Sequence, residues 1–228
     1  MLWECFYLIR TSAIIWAPLM ALSYLSMCYT RVLGYRTTVT LGIVGVPLHE
    51  LAHLITAVLF NHKIVGFALF KPSIDGSLGY VSHEYKLTWF APFANLVIGL
   101  APLAAGIGGF MAVTGWFRPD LLGVISSLQY SFTSLTDLNE AILTLTSKML
   151  TAGGFWNSAA WLLISFSILL FCVPSKADFY GCRPGVVSLI CMGLIGLCFF
   201  PATFILALDY LAPYMMLVGA MLWSVLVM

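Results

Sequence analysis

Charge is what this chain has least of: Asp, Glu, Lys and Arg make up 8% of its 228 residues, about a third of the share in an ordinary soluble domain. A water-facing surface cannot be built from so few ions. The net charge of +1 contains no basic run, so there is no electrostatic footprint for a nucleic acid. Six cysteines, at positions 5, 28, 172, 182, 191 and 198, form no C-x-x-C pair, which excludes a cysteine zinc site and gives no disulfide framework. Four of them lie in or beside apolar runs, where a free thiol behaves as a small hydrophobe. Internal repeats and low-complexity tracts are lacking too.

What the chain has instead is apolar surface, with 61% hydrophobic residues and a mean hydropathy of +1.01. Windows of about 20 residues, the length that crosses the hydrocarbon core, pick out runs at 11–30, 38–60, 89–114, 155–173, 185–208 and 210–228. These predict an all-α polytopic membrane protein of about six transmembrane helices, residues 1–228 forming one integral membrane domain in the lipid bilayer. The first run follows Glu4 and shows no small-residue cleavage site, so it reads as a retained helix. The last two are parted only at Asp209 and Tyr210.

Between the second and third runs, Val65-Gly66-Phe67-Ala68-Leu69-Phe70 and Leu78-Gly79-Tyr80-Val81 flank a Pro/Asp/Gly turn. This pattern predicts a small membrane-associated β-hairpin. In the longest connection, 117–150, Asp137 and Glu140 resemble a capping box, and apolar spacing over 138–150 predicts a helix stopped by Gly153-Gly154. Arg10, Lys63, Lys71, Lys86, Lys176 and Arg183 fall on one side of the bundle, against Arg31, Arg36, Arg118 and Lys148 on the other. The positive-inside rule then places the termini in the cytoplasm of a cell membrane.

The second run carries the chemistry. His49-Glu50-Leu51-Ala52-His53 is an H-E-x-x-H motif. Residues four apart on a helix are offset by about 40°, which stacks His49 and His53 on one face as two metal ligands with Glu50 beside them as a base. Three ionisable groups in a membrane run are costly and mark a functional site. A catalytic zinc takes three protein ligands and keeps one open position. The third ligand is not a histidine six residues on, since Leu59 stands there, and Thr56 replaces the accompanying glycine. Glu84 and Glu140 lie in connections, beyond the depth of His49. Asp178 follows the apolar run Trp161 to Val173 within Pro174-Ser175-Lys176-Ala177-Asp178. There the proline breaks the helix and frees backbone that can line a cavity. Spacing alone leaves two readings of this segment: a ligand-bearing break, or a solvated turn formed by Lys176, Asp178 and Arg183.

Three segments, in this order, resemble the site-2 protease family of intramembrane zinc metalloproteases. They are His49 to His53 within a span, Ala91-Pro92-Phe93-Ala94-Asn95-Leu96 opening the next, similar to the family's Gly-Pro-x-x-Asn, and Pro174 to Asp178, similar to its Asn-x-x-Pro…Leu-Asp-Gly. The resemblance covers about residues 38–183, with 11–30, 185–208 and 210–228 as additional helices. Ala91 stands for the usual Gly, no Asn precedes Pro174, Ala177 replaces Leu, Phe179 replaces Gly, and there is no PDZ-like insertion. These departures mark a divergent branch.

The resemblance implies Zn2+ held by His49, His53 and Asp178, with Glu50 catalytic and Asn95 hydrogen bonding the substrate backbone or oxyanion. The substrate it implies is a transmembrane protein or peptide. The hairpin, through Gly66, Phe67, Leu69, Gly79 and Tyr80, offers an edge onto which an unwound substrate can add as a strand. Two other functions share the composition. A non-proteolytic descendant would keep zinc without turnover, and a transporter would carry further polar groups along its spans, where Asn95 and Asn157 are among the few.

Overall fold

A long apolar run satisfies its own backbone groups most completely within a helix, and the apolar runs described in this chain are helical. The computed structural model describes residues 33–73, 75–128, 140, 143–144, 147–148 and 154–199. They form α1 (Tyr35–Leu59), β1 (Lys63–Ala68), β2 (Tyr80–Glu84), α2 (Ala91–Phe117), α3 (Pro119–Leu128), α4 (Phe155–Phe171) and α5 (Lys176–Phe199). Helices α1 and α2, with 25 and 27 residues, are long and apolar enough to cross a membrane. Each exceeds about 35 Å at 1.5 Å per residue, against a hydrocarbon core of about 30 Å. Helix α4 is apolar but shorter, at 17 residues. The expected runs at 11–30 and 210–228, and the part of the run at 185–208 beyond residue 199, lie outside the described residues, as do Asp137 and most of 138–150. Within 138–150, the described positions 140, 143, 144, 147 and 148 are helical.

Two compact units divide the chain: residues 25–112 with 163–195, and residues 1–24, 113–162 and 196–228. In the second unit Arg118 is 1% exposed. It makes a bidentate pair with Asp120, donates to the Lys148 carbonyl at 2.8 Å and the Ser158 hydroxyl at 3.2 Å, and lies 5.8 Å from the Trp161 ring centre. A guanidinium buried so deeply requires this full set of partners.

The first unit is assembled by close helix contacts. Ser167 on α4 inserts its hydroxyl into the hydrogen-bond ladder of α1, accepting from the Gly45 amide at 3.0 Å and donating to the Leu41 carbonyl. A Cβ at Gly45 would collide with the Ser167 carbonyl, so only glycine allows this approach. Gly99 does the same for α2 against Cys182 of α5.

At its C-terminal end α1 turns without a linker. The Asn61 backbone is left-handed, at φ 57°, and the His62 amide returns to the Ala57 carbonyl at 2.9 Å, closing the helix as an αL stop does. The chain then enters β1, which pairs antiparallel with β2 from Lys63↔Glu84 to Ala68↔Tyr80, with a register shift between Ile64 and Gly66. The hairpin therefore exists, but its strands lie nearer the helices than the sequence predicts. Leu69, Phe70, Leu78 and Gly79 belong to the turn, where the Lys71 amide bonds the Leu78 carbonyl at 2.6 Å. Leu78 is buried with Val46, Leu170 and Phe171. That apolar contact pins the turn to α1 and α4.

Candidate metal centre

In α1, His49 and His53 lie on one face as their spacing requires, meeting edge to face with ring centres 4.7 Å apart and their Nε2 atoms separated by 3.1 Å. Asp178, in the first turn of α5, faces them: Oδ1 lies 3.2 Å from His53 Nε2 and Oδ2 lies 3.6 Å from His49 Nε2. Among the described residues these three side chains are the group that could hold a metal ion. Ligands at about 2.0–2.1 Å from a tetrahedral ion stand roughly 3.3 Å from one another. The three separations bracket that figure, so the donors fit one face of a tetrahedron with the fourth corner open. Glu84 and Glu140 are both exposed and take no part.

Both rings are oriented from behind by backbone. His49 Nδ1 lies 2.7 Å from the Phe171 carbonyl and His53 Nδ1 lies 2.9 Å from the Ile98 carbonyl. A carbonyl can only accept, so each Nδ1 carries the proton and each Nε2 is left bare for a metal. Two prolines explain why these carbonyls are available. Pro102 stands four residues after Ile98 inside α2 and has no N–H to give it. Phe171 ends α4 ahead of Pro174, and the amide four residues on, that of Ser175, is diverted to Asp178 Oδ2 at 2.6 Å. The Asp178 amide lies 3.3 Å from the Ser175 hydroxyl. Ser175 and Asp178 thus form a reciprocal capping pair that starts α5 and holds the carboxylate toward the histidines. Of the two readings of 174–178, the structure has the break with the carboxylate turned inward.

A cavity of about 550 Å³ opens on these groups, lined among others by His49, Glu50, His53, Asn95 and Asp178. Glu50 is buried beside the histidines. From the hairpin, Gly79 and Tyr80 line the cavity, whereas Gly66, Phe67 and Leu69 do not. Phe67 and Tyr80 are about half exposed, at 53% and 49%. Gly79 comes so close to Glu50 that an added Cβ would lie 2.8 Å from the glutamate Cγ.

The sequence reading missed His83, on β2, which also lines the cavity. Its Nδ1 lies 3.0 Å from Nδ1 of His62, and the His62 ring stacks on Tyr85 at 5.0 Å. Burial pushes the pKa of both rings down, that of His83 further through the nearby His62 and His53. The pairing depends on the register that sets His83 opposite Ile64, which composition does not reveal. The sequence reading missed the Ile98 support as well; the signal that could have found it is the spacing Ile98-x-x-x-Pro102.

No protein-family model, no curated protein and no solved structure matches this chain.

Proposed function

We propose that the chain is an intramembrane zinc metalloprotease, a divergent branch of the site-2 protease family, hydrolysing peptide bonds of a membrane-embedded protein. The observation that carries this reading is the triangle of His49, His53 and Asp178, at 3.1, 3.2 and 3.6 Å, with Glu50 in the same cavity and on a helix able to span a membrane. Nitrogen and carboxylate donors with an open fourth position suit zinc. The chemistry a bound zinc supplies is acidification of a water and polarisation of the scissile carbonyl.

Glu50 is the base of this reading. Among the described residues it has no hydrogen-bond partner, and it would take the water's proton, then hand it to the leaving amine. Asn95 stands in the cavity wall with an amide able to hold substrate backbone. Gly79 in the turn of the hairpin and Tyr80 at the start of β2 bring the sheet up to the same cavity, so a substrate unwound along the strands would enter it already extended. The bilayer is then the medium of the reaction, and a multi-pass protein of a cell membrane, with cytoplasmic termini, is the setting.

The test is metal analysis of the purified chain together with cleavage of a model transmembrane substrate. Wild type should hold about one zinc per chain and cleave. Glu50→Gln should hold the same zinc and not cleave. Wild-type cleavage by Glu50→Gln, or no metal in wild type, would refute the reading.

A further inference from the structure

A tetrahedral intermediate places negative charge on the former carbonyl oxygen, and preorganised donors aimed at that oxygen account for much of the catalysis in acyl transfer. Among the described residues no Lys or Arg lines the cavity. Its donors are neutral, drawn from Asn95, Tyr80, Tyr85, His83 and two serines. Tyr80 and Tyr85 are 49% and 44% exposed. His83 differs from them in that a buried side chain fixes one of its two ring nitrogens.

That fixing has a chemical consequence. Two neutral imidazoles meeting Nδ1 to Nδ1 at 3.0 Å share one proton, so one ring donates and the other accepts. The accepting ring must carry its own proton on Nε2. The cavity identifies which ring that is. Its wall presents the carboxylate of Glu50, an acceptor that stays free when His49, His53 and Asp178 hold a metal. An Nε2–H on His83 is attracted by that field and an Nε2 lone pair is repelled. His62, which does not line the cavity, is then the donor. Three restraints hold it there: the Ala57 carbonyl on its amide at 2.9 Å, the stacked Tyr85 ring, and burial to 8% exposure.

We propose that His83 donates a hydrogen bond from Nε2 to the carbonyl oxygen of the scissile bond, and that His62 positions it by locking its tautomer. The assignment rests on the hydrolase reading above. Glu50, which lines the same cavity, is left free for the water. No bond is made or broken by His83; it strengthens one hydrogen bond as charge develops.

The experiment uses the full zinc-loaded chain with five sequences: wild type, His83→Leu, His83→Gln, His62→Leu and His62→Asn. Gln returns a donor N–H at the reach of Nε2, and Asn returns one at the reach of Nδ1. His83→Leu should lower kcat about 100-fold or more, the size of a lost oxyanion donor, with KM and zinc content near wild type. His83→Gln should recover at least about tenfold of that loss. His62→Leu should lower kcat, and His62→Asn should restore it, which loss of packing alone does not explain. Separately, nitrogen NMR of the 15N-histidine-labelled chain should place the His83 proton on Nε2 in wild type and divide it between the two nitrogens in His62→Leu. Unchanged kcat in His83→Leu, a change confined to KM, or a wild-type His83 proton on Nδ1 would each overturn the proposal. Should His83→Leu fail to fold, the Gln variant and the wild-type spectrum decide it. Failure of the protease reading shows differently, as wild type no more active than Glu50→Gln, and the spectrum still reports the tautomer.

Discussion

Replacing Gly79 with alanine tests whether the hairpin sets the position of the base. The new methyl would lie 2.8 Å from Glu50 Cγ, 2.9 Å from the Ala68 carbonyl oxygen and 3.0 Å from that of Leu69. Carbon atoms in contact settle at about 3.5–4.0 Å, so the first contact is short by about 0.7 Å or more. The two oxygens are backbone in the hairpin and its turn, which Leu78 anchors against Val46, Leu170 and Phe171. The glutamate side chain is the softer partner and moves. A displacement near 1 Å of a group that must meet a water at hydrogen-bond distance costs on the order of 100-fold in rate. None of these three contacts involves His49, His53 or Asp178, so the metal stays.

The expected outcome for Gly79→Ala is therefore a kcat about 100-fold lower with zinc content equal to wild type, measured by elemental analysis alongside initial cleavage rates. Gly108→Ala is the control, since a Cβ there meets nothing within 4 Å; it should match wild type in both measurements. A wild-type kcat in Gly79→Ala would show that the hairpin does not constrain Glu50. A fall in rate matched by an equal fall in zinc would show that the substitution acts on the ligands and not on the base.

Asp178→Asn should weaken zinc binding by at least about tenfold, because the oxygen facing both histidines loses its charge, while Glu84→Gln and Glu140→Gln should keep wild-type metal content by the same analysis; equal losses in all three would refute the ligand set. His62 and His83 have pKa values pushed below 6.5 by burial, so below that pH the unfolded chain binds more protons than the folded one and stability falls with acidification. Thermal unfolding of metal-free protein should accordingly drop between about pH 7 and pH 5, and His62→Phe with His83→Phe should flatten the drop; an unchanged pH slope in the double variant would assign it to other groups.

How much of this could be read from the chain depended on the range of the cause. His49, Glu50 and His53 were legible because helical spacing alone puts them on one face. The break at Pro174 was legible as a break. That it brings the carboxylate inward was not, since the turn depends on the reciprocal bonds of Ser175 and Asp178 and on Gly99 admitting α5 against α2, a contact between segments 83 residues apart in number from Gly99 to Cys182. The hairpin was predicted from its apolar runs, but its strands shifted because Leu78 is buried against α1 and α4, a tertiary contact that overrides β propensity. His83 was overlooked because its contact with His62, which precedes β1, is made only when the hairpin sets His83 opposite Ile64.

The carbonyl that orients His53 has a consequence for anyone transplanting this site. Copying the five-residue motif onto another pair of packed helices would supply two imidazoles and a glutamate, yet the recipient's carbonyls would already be engaged by their own amides four residues on. A graft would need to carry the proline of the neighbouring helix, offset by one turn from the chosen acceptor, as Pro102 is from Ile98. The smallest portable unit that orients His53 is thus two helices and a deleted N–H.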